Sequence, residues 1–137
     1  MLAAASAILL LIALSSMVYG FWYLFARRYM SYHAELTGVA WGDIPPRYQA
    51  IILGMLKMVG AGMLAFGVAL AWLVLPLSQG ERWPIWAILT LLVAHGFVSV
   101  YVTITLRRVN PAAQTNVASA CAGVAASLGA LVLAYLA

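Results

Sequence analysis

Long apolar runs separated by short polar breaks make up the chain. Four runs, roughly 2–26, 50–75, 84–106 and 117–136, each contain no more than one charged residue. About 20 apolar residues at 1.5 Å per residue cross the ~30 Å hydrocarbon core of a bilayer, so each run predicts a transmembrane helix. The breaks, roughly 27–49, 76–83 and 107–116, hold the prolines, glycines and charges that end a span. The runs show neither a two-residue alternation nor a single apolar stripe. They are apolar all round, as helices in lipid are. The expected fold class is therefore all-α: a polytopic membrane protein folded as one domain, a four-transmembrane-helix bundle.

Composition sharpens this. Of 137 residues, 66% are hydrophobic and 7% charged, with a mean hydropathy of +1.04. A soluble domain carries about 25% charged residues, so lipid must cover most of this surface. The net charge of +4 does not point to nucleic acid, because the arginines sit mainly as pairs at the ends of apolar runs and not as a stripe on a polar domain. Cys121 is the only cysteine, which excludes an internal disulfide and cysteine-based zinc spacings. It lies among alanines and reads as a small packing residue.

Charge placement also predicts orientation. No Lys or Arg precedes Arg27, and the first run is too long for the apolar core of a signal peptide, so it is expected to be an uncleaved first helix. The first connection carries Arg27, Arg28 and Arg47, and the third carries Arg107 and Arg108. The second has only Arg82, beside Glu81. Cytoplasmic loops are enriched in Lys and Arg, so the first and third connections are expected in the cytoplasm and both termini outside (N-out/C-out). Aromatic residues fit that arrangement: Tyr19, Trp22, Tyr23, Tyr29, Trp41 and Tyr48 flank one boundary, and Trp72, Trp83 and Trp86 the other. Their rings favour the headgroup layer, where the apolar body and the polar edge are both satisfied.

Between helices in lipid, close approach marks contact, and small residues permit it. The second run has Ala61, Ala65 and Ala69 at four-residue intervals, with Gly54, Gly60, Gly62 and Gly67 around them. The fourth has Ala118, Ala122, Ala126 and Ala130 on one stripe, and Ser119, Gly123 and Ser127 on the next. These are the predicted helix-packing surfaces, within the bundle or between copies in a homo-oligomer. In the first connection, residues 29–36 are good helix formers, which predicts that the first helix continues out of the membrane until Thr37-Gly38 stops it. Asp43-Ile44-Pro45-Pro46 reads as the entry to the second helix, with proline in its first turn. The result is an ordered cytoplasmic elbow over 27–49.

Several short motifs recur in a familiar order. They are Tyr32-His33, Gly38-Val39 with Trp41, Ile44-Pro45-Pro46-Arg47 with Gln49, Gly80-Glu81-Arg82-Trp83, and Arg107-Arg108 with Asn110-Pro111. In this order they resemble an uncharacterised family of short four-helix bacterial inner-membrane proteins, over about residues 32–117. The resemblance implies the fold and a bacterial inner (plasma) membrane location, and it carries no reaction or ligand.

Ionisable groups inside a membrane are costly and are candidates for function. His95 lies midway along the third run, with Ser99 and Thr103 following at four-residue steps on the same face. Lys57 lies in the second run, on the side of its midpoint nearer Arg47. Lys57, His95, Ser99 and Thr103 form the candidate ligand or proton path, against the plainer readings of a structural histidine and a lysine snorkelling to the headgroups. His33 and Glu35 read as solvated surface. A metal-dependent deaminase also needs a cysteine pair, which this chain lacks. There is no Ser-His-acid set, intramembrane carboxylate pair, phosphate loop or Cys-x-x-Cys, so no catalytic residue, metal or cofactor is expected. The first expectation is a non-enzymatic membrane component, a homo-oligomeric scaffold or an accessory subunit bound to a larger membrane protein. The alternative is a small oligomeric transporter or channel for an anion or weak acid.

Overall fold

The computed structural model of the chain describes residues 1–113 and 115–137, and the described residues form helices and connections without a strand. The helices are α1 (Leu2–Leu24), the short α2 (Ser31–Thr37), α3 (Pro46–Ser78), α4 (Trp83–Val109) and α5 (Val117–Tyr135). A single 3-10 turn occupies Trp41–Asp43. Four of the helices, α1, α3, α4 and α5, are long and apolar enough to cross a membrane. Large apolar side chains lie exposed along them, including Met58, Trp72 and Tyr101, the surface expected where lipid is the solvent.

The first helix does not run on into the elbow. It stops at Leu24, and a separate helix begins at Ser31. The reason is tertiary: Tyr29 is buried, its hydroxyl donates to the Val39 carbonyl, and its ring meets Trp41 edge-on at 5.0 Å. Those contacts fold the chain back and cost it the helical path that local propensity favours. Gly38 ends α2 in the left-handed region at φ 66°, where a Cβ is strained. Next, α3 opens on Pro46 at its first position, where an amide donor is not needed. At 33 residues α3 is about 50 Å long, more than the hydrocarbon thickness of a bilayer, so crossing one would require it to tilt or to project beyond.

The tightest pair is α1 with α3, at a backbone-to-backbone approach. A Cβ added at Gly60 would lie 2.5 Å from the Leu24 nitrogen and 2.7 Å from the Gly20 carbonyl oxygen. One added at Gly20 would meet the Leu64 nitrogen at 2.7 Å. Beside this contact the Ser16 hydroxyl donates to the Met63 carbonyl across the helices at 2.8 Å. Of the small residues on α3, Gly60 and Gly67 are therefore the buried ones, while Ala61 and Ala65 face outward and Ala69 is half-buried. On α5, Ser127 and Ala130 are buried and Gly123 is half-buried, whereas Ala118, Ser119, Ala122 and Ala126 are exposed.

The apolar core fills only one end of the bundle. It joins Ala5, Leu9 and Ala13 from the start of α1, Leu70, Val74 and Leu77 from the end of α3, Ile85, Ile88 and Leu92 from the start of α4, and Ala130, Leu131 and Ala134 from the end of α5. This is the end where α3 turns into α4. Toward the elbow the helices part. The second half of α4 packs on α5 and scarcely touches α3.

Candidate functional site

Where the two helix pairs diverge they leave a cavity of about 1310 Å³. One wall is α1 and α3, with Tyr19, Trp22 and Tyr23 from the former and Leu56, Val59, Gly62 and Met63 from the latter. The opposite wall is α4, with Ala94, His95, Val98, Ser99, Val102, Thr103 and Leu106. The elbow lines the end away from the core, contributing Arg27, Arg28, Tyr32, His33 and Trp41. Thr115 and Asn116, ahead of α5, also line it, and Gln114 lies outside the described residues. The wall is mostly apolar, and no Asp or Glu among the described residues lines it.

His95 marks the deep end. It sits where the packed core gives way to the cavity, three residues after the buried Leu92. Around it, Leu92–Phe97 forms a π-helical turn inside α4, a rare feature that concentrates at functional sites. The imidazole stacks on Phe66 of α3, with ring centroids 4.5 Å apart and planes 22° apart. This stack ties α3 to α4 at the apex of the opening. The imidazole is half-buried and lines the cavity.

Ser99 and Thr103 share the His95 face but spend their protons locally. Ser99 Oγ donates to the His95 carbonyl at 2.8 Å, and Thr103 Oγ1 donates to the Ser99 carbonyl at 2.9 Å. Their oxygens keep lone pairs for a ligand while the hydroxyl protons remain on the helix. Lys57 stands apart: it is exposed and does not line the cavity. Its place on the outer surface of α3 suits a stem lying along the helix with the ammonium at the headgroups.

The elbow is built as a lid of aromatic rings. The Tyr23 and Tyr32 hydroxyls are hydrogen-bonded to each other at 2.7 Å, joining α1 to α2. Burial, and then the bond to Tyr23, push the Tyr32 phenol above its ordinary range, so it stays protonated. His33 packs on the Tyr32 ring at 4.0 Å and on Tyr29 at 5.8 Å. Its Nδ1 accepts the Met30 amide proton at 3.1 Å, and burial holds its pKa below the usual imidazole value. From the other side, Asn110 Nδ2 donates to the Glu35 carbonyl at 2.7 Å, fastening α2 to the end of α4. Gln49 Nε2 donates to the carbonyls of Trp41 and Ile44, both at 2.9 Å, which holds the entry to α3.

Sequence reasoning placed His95, Ser99 and Thr103 on one face, and that face lines the cavity. It missed Phe66, Tyr32 and Met63, which look like ordinary lipid or interface residues until the fold brings them together. It assigned Arg27 and Arg28 to topology alone, and they also line the cavity's rim. Their adjacency to a dense run of aromatic residues was the one available signal. Comparison with protein-family models, with curated proteins and with solved structures returned no match.

Proposed function

We propose that this protein is a membrane-embedded binding or carrier protein for a small weak acid or organic anion, held between its helix pairs. The single observation that carries this reading is the shared cavity, which has His95, Ser99 and Thr103 on its wall and the arginine pair at its rim. A cavity of this size exceeds the about 300–1,000 Å³ of a drug-sized ligand site. Its apolar wall suits an organic molecule, and its only formal charges among the described lining residues are positive. Lys57, exposed and away from the cavity, is left out of this reading. A bacterial inner-membrane location is what the resemblance implies, and the arginine distribution supports an elbow on the cytoplasmic side.

Gly62 provides the test. It lines the cavity, and a Cβ there meets nothing within 4 Å, so Gly62→Phe fills space without displacing a neighbour at its base. Gly54 is equally open and lies off the cavity, so Gly54→Phe is the control. Native mass spectrometry of protein extracted gently from its own membranes should show a retained small molecule in the natural protein and in Gly54→Phe. Gly62→Phe should lack it. Identical spectra for all three proteins would remove the reading.

A second reading is a homo-oligomeric scaffold or accessory subunit of a larger complex, supported by the exposed small-residue face of α5 at Ala118, Ala122 and Ala126. The same spectra test it. A complex of fixed stoichiometry, broken by Ala122→Leu with Ala126→Leu, is its expected result, and a monomer throughout would exclude it.

A further inference from the structure

We infer that the occupant is a long-chain carboxylate, one acyl chain with an anionic head, which enters sideways from the lipid. This inference rests on the binding reading above and names the class of ligand. Three features of the cavity carry it.

The first is depth. From Leu106 to Ala94 the wall of α4 runs 12 residues, or about 18 Å along the helix axis. Half of the ~30 Å hydrocarbon core is about 15 Å, so the cavity spans one leaflet, from the headgroup level to the middle of the bilayer. That is the reach of one acyl chain. A small hydrophilic anion would leave most of this apolar wall uncovered.

The second is the distribution of polarity. Arg27 and Arg28 line the elbow end of the cavity, as do Tyr23 and Tyr32, whose hydroxyls are hydrogen-bonded to each other. Away from the rim the facing walls are mainly Val59, Met63, Val98 and Val102; Ser99 and Thr103 also lie there with their hydroxyl protons donated to their own helix, and His95 stacks on Phe66 at the core end. Guanidinium groups bind carboxylates through charge-assisted, often paired hydrogen bonds. An anionic head at the rim with its chain along the walls satisfies both regions at once; a cationic head is repelled by the arginines, and a neutral one forms weaker hydrogen bonds without the charge assistance.

The third is access. The second half of α4 scarcely touches α3, yet both line the cavity. Several of the apolar residues concerned are half exposed or more, Val59 at 50% and Val98 at 53%. The gap between these helices therefore opens toward the lipid. The elbow, fastened at Tyr23 and at Asn110, lies across the headgroup end of the cavity. A molecule already dissolved in the leaflet enters through the side without passing the lid.

The test is quenching of Trp22 and Trp41, which line the cavity, by dibrominated stearate. Trp72, Trp83 and Trp86 are replaced by Phe, and the protein is placed in nanodiscs of zwitterionic lipid at alkaline pH. Saturable quenching by the acid is expected, with affinity about tenfold above that of dibrominated stearyl alcohol, a difference of about 1.4 kcal/mol. Arg27→Gln with Arg28→Gln should lower the acid's affinity to the alcohol's, and Gly62→Phe should abolish saturable quenching while Gly54→Phe preserves it. Equal affinities for acid and alcohol, both lost in Gly62→Phe, would overturn the anionic class and leave the binding cavity standing. Saturable protection of the tryptophans by benzoate, with none by stearate, would overturn the long chain and leave a weak-acid site. Quenching that is linear in probe and the same in Gly62→Phe would reflect partition into the lipid alone, and both readings would fall.

Discussion

Individual side chains hold this bundle together by being small or by reaching across. The α1–α3 contact depends on Gly20 and Gly60, whose missing Cβ atoms let two backbones touch. Gly60→Leu must push the helices apart, at a cost of about 1–3 kcal/mol or more for overpacking. The expected result is a clear drop in the thermal unfolding midpoint in detergent, whereas Gly54→Leu leaves it within a degree or two of the natural protein or raises it, since nothing lies near Gly54 and leucine favours the helix by about 0.5–1 kcal/mol over glycine. Equal midpoints for the two variants would show that the close approach contributes nothing. Ser16 is the polar counterpart. Its hydroxyl satisfies a carbonyl on α3, and Ser16→Ala should cost about 0.6 kcal/mol, the average for hydrogen bonds between membrane helices, and no more than about 1.7.

Among the elements, α2 is the one whose place depends on few contacts. It contains no fully buried residue and is held by the Tyr23–Tyr32 bond, the His33 stack and the Asn110 bond to Glu35. Asn110→Ala should therefore raise amide exchange across residues 31–37 and leave the core of α1 and α3 protected. Exchange that rises equally in both places would mean global loosening and would refute the local anchor. The elbow is also expected to respond to pH. His33 has a depressed folded-state pKa, so as pH falls through the ordinary histidine value of about 6.5 the opened elbow takes up a proton first. Stability is complete above that value, falls as pH drops through it, and levels off below the folded-state pKa. Protection of residues 31–37, corrected for intrinsic exchange rates, should decline on acidification in the natural protein and stay flat in His33→Gln.

At the level of the whole protein, one end is packed and the other is open, and the orientation of these ends in the membrane decides which compartment the arginine rim meets. The distribution of arginines predicts the elbow in the cytoplasm. Cys121 is the only cysteine, so Cys121→Ala gives a clean background for labelling. In intact cells a membrane-impermeant maleimide should react with Glu81→Cys and reach Asp43→Cys only after lysis, since both positions are exposed. The opposite pattern would reverse the orientation and place the rim outside.

The four helices follow from the chain alone, because a run of some 20 apolar residues has no stable state in water and must satisfy its backbone internally in lipid. The polar face at His95, Ser99 and Thr103 follows too, since residues four apart on a helix share a face whatever surrounds them. Which small residues are buried was decided only by the fold. Gly60 and Ala61 are adjacent and equally thin, and the rotation of α3 against α1 buries one and exposes the other. The break after α1 also comes from long-range contacts, which hold Tyr29 to Val39 and Trp41 against its helical propensity. The cavity belongs to the fold in the same way. Hydrophobicity places each helix in the membrane, but lipid and protein are equally apolar partners for its sides, so pattern alone cannot show where two helices touch and where they part.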